Sequence, residues 1–208
     1  MARKRGLQRD EVVATAMLLA DREGLAAVTL ARVATELGVR SPSLYSHVDG
    51  MAGLRRAMSL ETARLLGVRI NEAICDGMGT QALTDLAHAY RRFARDHPGL
   101  YATLLPTPSR EEDAEVHDAF SAPIRAIAHL FTSMGVPEER TTDAIRSFRS
   151  AVHGFVALEA GGGFGLPHDI DGSFKTLITV LTNGIASLGE SAAAQQGSDG
   201  GTVRPGRG

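Results

Sequence analysis

Apolar residues return every three or four positions along most of this chain, and no stretch alternates strictly for long. That period belongs to α-helices buried along one face, and it predicts an all-α protein. Val12, Val13, Ala16, Leu19 and Ala20 mark one face of a first helix, with Gly24 placed to end it in a left-handed cap. Thr29 is a candidate N-cap for a short second helix, in which Leu30, Val33, Ala34 and Leu37 follow the i, i+3, i+4, i+7 spacing before Gly38 stops it. A third helix of barely two turns is predicted at once: Ser41 as cap, Pro42 at the first position, where its missing N–H costs nothing, and Leu44 and Val48 as an inward i, i+4 pair. Helices this short are unstable alone. The pair therefore has to pack on the first helix, which makes the segment a helix-turn-helix.

A long helix is predicted from about Asp49 to Ile74, carrying Leu54, Met58, Leu65, Leu66, Val68 and Ile70 away from this bundle. Further helices are expected near Gln81 to Asp96, Leu100 to Leu105, Glu111 to Met134, Pro137 to Ala160 and Asp171 to Gly189, with proline and glycine punctuation between them. The last carries a broad stripe, Phe174, Leu177, Ile178, Leu181, Ile185 and Leu188, wide for an outer helix. Together with the small residues Ser147, Ala151 and Gly154 on the preceding helix, the stripe predicts pairing with a second copy, with Leu181 inside the interface. From Ser191 the chain has almost nothing to bury and is expected to be disordered. Three regions follow: 1–54, 55–190 and 191–208.

Composition narrows the class. With 43% hydrophobic and 22% charged residues and no apolar run of transmembrane length, the chain reads as soluble, with no membrane role. The basic, then amphipathic, N-terminus is no secretory signal, and a single cysteine, Cys75, suits a reducing cytoplasm. Net charge is −2, but residues 1–56 hold nine basic residues against six acidic ones, which leaves −5 for the remainder. The basic end is where a polyanion would be met.

The third helix offers the chemistry for that. With Leu44 and Val48 turned inward, Arg40, Ser41, Pro42, Ser43 and Ser46 face outward, with Tyr45 and His47 on the flanks. In a DNA major groove Arg40 can give two hydrogen bonds to guanine, Pro42 can touch a thymine methyl, and the serines permit close approach. The hydrogen-bonding tips of Tyr45 and His47 suit phosphate oxygens, and the arm Arg3, Lys4, Arg5 and Arg9 adds attraction independent of sequence.

These residues also carry a likeness. The stretch TLARVATELGVRSPSLYSHVDGMAGL, with Thr29, Ala34, Gly38, Val39, Leu44, Tyr45, His47, Val48 and Leu54 in place, resembles the DNA-binding signature of the TetR family of bacterial transcriptional regulators. The match covers about residues 8 to 60, and AVHGFVALEAGGGFGLP with SFKTLI resembles the C-terminal region of one TetR subgroup. Met51 stands where the family usually has a phosphate-binding lysine, so that contact passes to Arg55 or Arg56 or is lost.

The resemblance implies an N-terminal helix-turn-helix domain joined by a long helix to a helical ligand-binding and dimerisation domain. Its implied partners are operator DNA, contacted by Thr29, Arg40, Ser41, Pro42, Ser43, Tyr45, Ser46 and His47, a second copy of the chain, and a small-molecule effector. Aromatic and histidine side chains spread over several helices suit an apolar effector pocket, with Phe93, Tyr101, Phe148 and His153 as candidate walls. No cofactor, metal site or enzymatic activity is expected. The seven histidines form no HxxxH or HExxH pair, and nothing along the chain groups a nucleophile with a base and its orienting residue; Glu159 with a histidine is the nearest approach to such a group.

Overall fold

The computed structural model describes residues 7–75, 77–104 and 109–199, the stretch 191–199 as backbone only, and among these residues there are helices and no strands. The α-helices are α1 (Arg9–Glu23), α2 (Leu30–Glu36), α3 (Gly50–Cys75), α4 (Gly79–Asp96), α5 (Pro98–Tyr101), α6 (Ala114–Ser133), α7 (Glu138–Ala160) and α8 (Ile170–Asp199). A 3₁₀ segment, Ser41–Ser46, stands where the third short helix was expected. By contacts the described chain divides into two compact units, one of residues up to Arg69 with Arg92–Ala122, the other of Ile70–Arg91 with the residues from Pro123 on.

In the first unit α1 starts with Asp10 and Glu11 and ends with Arg22, charges that oppose the helix dipole at both ends. Val12, Val13, Ala16, Leu19 and Ala20 are buried, as their spacing predicts, and share one core with Val33, Ala34, Leu44, Val48, Leu54 and Met58. Gly24 closes α1 with φ 85° but ψ 153°, an extended exit in place of a left-handed cap, since the chain enters a 3₁₀ turn at once. Thr29 caps α2 as expected, its Oγ1 accepting from the Arg32 N–H at 3.1 Å.

Leu100 of α5 enters the same core. It can do so because α5 lies against the end of α1 at Gly99, where a Cβ would stand 1.8 Å from the Ala20 carbonyl oxygen. Asp21 fixes the contact. One carboxylate oxygen accepts from the Leu100 N–H at 3.0 Å, and the other lies 2.6 Å from the Nδ1 of His97.

Charge pairs tie the unit's surface together. Arg22 and Arg32 both bridge Glu23 and Glu36, at 2.7 to 3.1 Å, joining α1 to α2. Arg56 of α3 forks onto Asp113 and reaches Glu115 at 3.0 Å, while Asp113 caps α6 by accepting from the Val116 N–H. Hydrogen bonds from Arg32 hold Glu23 below the usual carboxylate range, those from Arg22 do the same to Glu36, and Arg56 does it to Asp113. Such carboxylates stabilise the fold fully above their unfolded pKa and lose the contribution as pH falls through the depressed folded value. The urea midpoint should therefore drop as pH falls below about 4.5, and drop less steeply in Glu23→Gln/Glu36→Gln/Asp113→Asn. Parallel pH curves for the two proteins would show that these pairs contribute nothing.

In the second unit Phe131, Phe148, Val152, Val156, Phe174, Ile178 and Ile185 are buried, with Phe131 and Phe148 edge to face at 6.4 Å. The α8 stripe is thus turned into the chain's own core. Phe174, Ile178 and Ile185 are buried and Leu177, Leu181 and Leu188 half-buried, while Val180 on the opposite face is 65% exposed. The backbone of α8 runs on to Asp199. Residues 200–208 lie outside the described residues. No helix among the described residues is long and apolar enough to cross a membrane.

Candidate nucleic-acid interface

The recognition segment owes its position to the turn before it. Gly38 takes φ 66°, a left-handed value that costs glycine nothing, and the amides of Gly38 and Val39 reach back to Thr35 O at 3.1 Å and Ala34 O at 3.0 Å. This pair of bonds is a Schellman motif, which satisfies the last carbonyls of α2 and turns the chain out of the helix. Arg40 then sits extended at the cap position, without a side-chain capping bond, so the capping role foreseen for Ser41 is not taken up. Ser41 itself opens the segment, and Pro42 follows at its second position, one place later than expected.

The segment Ser41–Ser46 winds as 3₁₀, with Ser43 N bonded to Arg40 O and His47 N to Leu44 O, both at 2.9 Å. Tighter i, i+3 winding is usual for so few residues. What holds it is burial: Leu44 is fully buried and Val48 is 6% exposed. Arg40, Pro42, Ser43, Tyr45 and Ser46 are consequently exposed, and Ser41 and His47 half-buried. Tyr45 is 63% exposed, an unusual position for a large aromatic unless it meets something. Ser46 spends its hydroxyl proton on the Ser43 carbonyl at 2.9 Å, which leaves its oxygen as an acceptor. Thr29 is exposed while capping α2.

The electrostatics of the unit were less legible. Of the described arginines in residues 7–56, Arg22, Arg32 and Arg56 are neutralised by carboxylates, whereas Arg9, Arg40 and Arg55 have no ion pair among the described residues. Arg32–Glu36 could be read from its i, i+4 spacing. Arg56–Asp113 spans far too much sequence to leave a local signal. Met51 packs half-buried against the core, and Arg55, one helical turn on, is exposed. The arm residues Arg3, Lys4 and Arg5 lie outside the described residues.

The candidate pocket residues separate. Phe93 and Tyr101 belong to the first unit, Phe148 and His153 to the second. Phe93 is buried beside His97, ring centroids 5.2 Å apart, and Phe148 is buried against Phe131. His153 is half-buried, and burial, with Arg149 nearby, lowers its pKa, so it is neutral at pH 7. Glu159 is the counter-ion of Arg91, with hydrogen bonds of 2.6 and 2.8 Å. No group of three or more His, Cys, Asp or Glu side chains suited to a metal ion occurs among the described residues.

Comparison with known proteins agrees with this geometry. Residues 83–181 match the family described as "Tetracyclin repressor-like, C-terminal domain". The HTH-type transcriptional regulator Rv0681 of Mycobacterium tuberculosis is 32% identical over 185 residues, covering 89% of this chain and 84% of the relative. The tetracycline repressor protein class E of Escherichia coli is 30% identical over 155 residues, 68% of this chain and 72% of that protein. Among solved structures, the transcriptional regulator SCO7222, a TetR from Streptomyces coelicolor, superposes with a TM-score of 0.64 at 20% identity, over 88% of this chain and 99% of that one.

Proposed function

The chain belongs to the TetR family of transcriptional regulators, and on that premise we propose that it is a homodimeric, cytoplasmic repressor whose grip on an operator is relaxed by a small molecule. As a member of that family it is a DNA-binding regulator and not an enzyme.

The observation that carries the proposal is the exposed row from Arg40 to Ser46, anchored from beneath by Leu44 and Val48. Two such segments related by a dimer axis would enter major grooves about one helical turn apart. Arg40 and Pro42 read bases, Tyr45 and His47 hold phosphates, Ser41, Ser43 and Ser46 allow close approach, and Thr29 adds a contact from the start of α2. Arg55 supplies the backbone contact that Met51 cannot, since Arg56 is already bound to Asp113 and Glu115.

Fluorescence anisotropy on DNA flanking the protein's own gene, with nonspecific competitor, tests this. Arg40→Ala should cost about 1–3 kcal/mol on the operator and little on random DNA. Arg55→Ala should weaken both alike and lower the salt slope by about one. Equal losses on operator and random DNA for Arg40→Ala would remove its base-reading role.

The dimer forms through α7 and α8. Both keep an outward face of small or apolar residues: Ser147, Gly154 and Leu158 on α7, Thr176, Val180 and Gly184 on α8. A Cβ at Gly154 or Gly184 meets nothing within 4 Å in the single chain, so a partner helix can approach closely there. Effector release works by population shift: the small molecule favours a dimer whose recognition segments no longer match successive grooves, and it must bind DNA-free protein more tightly by the factor by which it weakens operator binding.

A further inference from the structure

Arg91 in α4 is only 6% exposed, a rare place for a guanidinium. Two rings cover it, Phe174 at 4.6 Å and Phe155 at 5.5 Å from its central carbon, and His88 stands edge-on to Phe174 at 5.4 Å. Two carboxylates share its charge, and they are not equivalent. Glu159, 15% exposed, takes a two-point hydrogen bond from Nε and Nη2. Asp171, in the first turn of α8, meets the same Nη2 at 2.8 Å but is 65% exposed. Phe164 closes the group by resting on Phe155, centroids 4.7 Å apart, and it comes from a loop in which Gly161, Gly162, Gly163 and Gly165 have no side chains to pack.

We propose that this box is the anchor of the effector site and that it selects an aromatic carboxylate, whose acid group replaces Asp171 on Arg91 and whose ring replaces Phe164 on Phe155. The inference rests on the ligand-responsive reading above and adds a ligand class to it. Removing Glu159 from a buried cation would be costly, but an ion pair with a largely exposed carboxylate is worth little, so Asp171 is the exchangeable partner. The exchange conserves the charge of the site. An incoming carboxylate would also be better shielded from water than Asp171 is, and its charge-assisted bonds would be correspondingly stronger. Phe164 already shows that an aromatic ring fits against Phe155. A neutral analogue could use the ring position but would leave Arg91 to Asp171.

Titration calorimetry with benzoate, phenylacetate and 1-naphthylacetate, each against its neutral amide, tests the site. At least one acid should bind, its amide about tenfold or more weaker. Asp171→Asn, which removes the competing charge, should tighten that acid several-fold, and Arg91→Gln/Glu159→Gln, which removes the cation without stranding its buried partner, should abolish the preference for acid over amide. The chain has no tryptophan, so Phe164→Trp provides a single reporter whose emission should move to the red as the acid displaces it. Acid and amide binding equally, weaker acid binding by Asp171→Asn, or binding of none of the acids at millimolar concentration would each overturn the proposal. Operator anisotropy separates the two claims. Release of the operator by some other compound, unaffected by Asp171→Asn, overturns this site and leaves the regulatory reading intact, whereas acid binding with the expected variant pattern but unchanged operator affinity supports a carboxylate site and overturns its role as the effector anchor.

Discussion

Replacing Gly99 by alanine is expected to destabilise the N-terminal unit by about 3 kcal/mol or more, the upper end of what added atoms cost in a packed core. The new Cβ would lie 1.8 Å from the Ala20 carbonyl oxygen, 2.1 Å from its carbon and 2.7 Å from the Asp21 nitrogen. All three are backbone atoms of α1, so no rotamer change relieves the clash, and α5 must move off the helix. Leu100 would then leave the core it shares with Leu19 and Leu44, and Asp21 would lose the Leu100 amide. Because Leu44 anchors the recognition segment, operator binding should weaken at temperatures where the remainder of the chain is still folded. Urea denaturation followed by circular dichroism, with anisotropy on the same samples, measures both effects. An unchanged midpoint would mean that α5 does not approach α1 this closely.

Val180→Arg is expected to produce monomers and to lower operator affinity by about 10²–10⁴-fold, the gain that linking two half-site contacts usually brings. Val180 is 65% exposed on the single chain, so an arginine there disturbs no internal packing and the monomer should stay folded. In the dimer it would place a long cation at a close helix crossing opposite its own symmetry copy. Leu181→Arg is a poorer test, since Leu181 is half-buried in its own chain and the substitution would damage the fold as well as the assembly. Light scattering at micromolar concentration reads the outcome. A wild type that is itself monomeric, or a Val180→Arg protein that remains dimeric, would move the interface elsewhere.

Helix periods, the Thr29 cap, the Gly38 turn and the inward pair Leu44 and Val48 were all written in residues a few positions apart, and the outward row from Arg40 to His47 followed as their complement. Which side of that segment faces outward is therefore a property of the sequence by itself. Its 3₁₀ winding was not legible, because the choice between i+3 and i+4 bonds over six residues depends on how Leu44 and Val48 seat in the core. The broad stripe of α8 pointed to a second copy with Leu181 in the interface, whereas packing turned Phe174, Ile178 and Ile185 into the chain's own core and left Val180 outside. The same limit applied to charge. Composition counted the cations of the first 56 residues, but which of them stay available to DNA was decided by Glu23, Glu36 and Asp113, acids brought up from other elements. Likewise, nothing local marks Arg91, Glu159 and Asp171 as one group, or Gly99 as the partner of Ala20. Local backbone chemistry is encoded where it acts, so the sequence determined the elements and the outward row of the short third segment; contacts between distant segments exist only once loops have closed and cores have filled, so the tertiary structure decided the free charges, the outer faces and the buried cation.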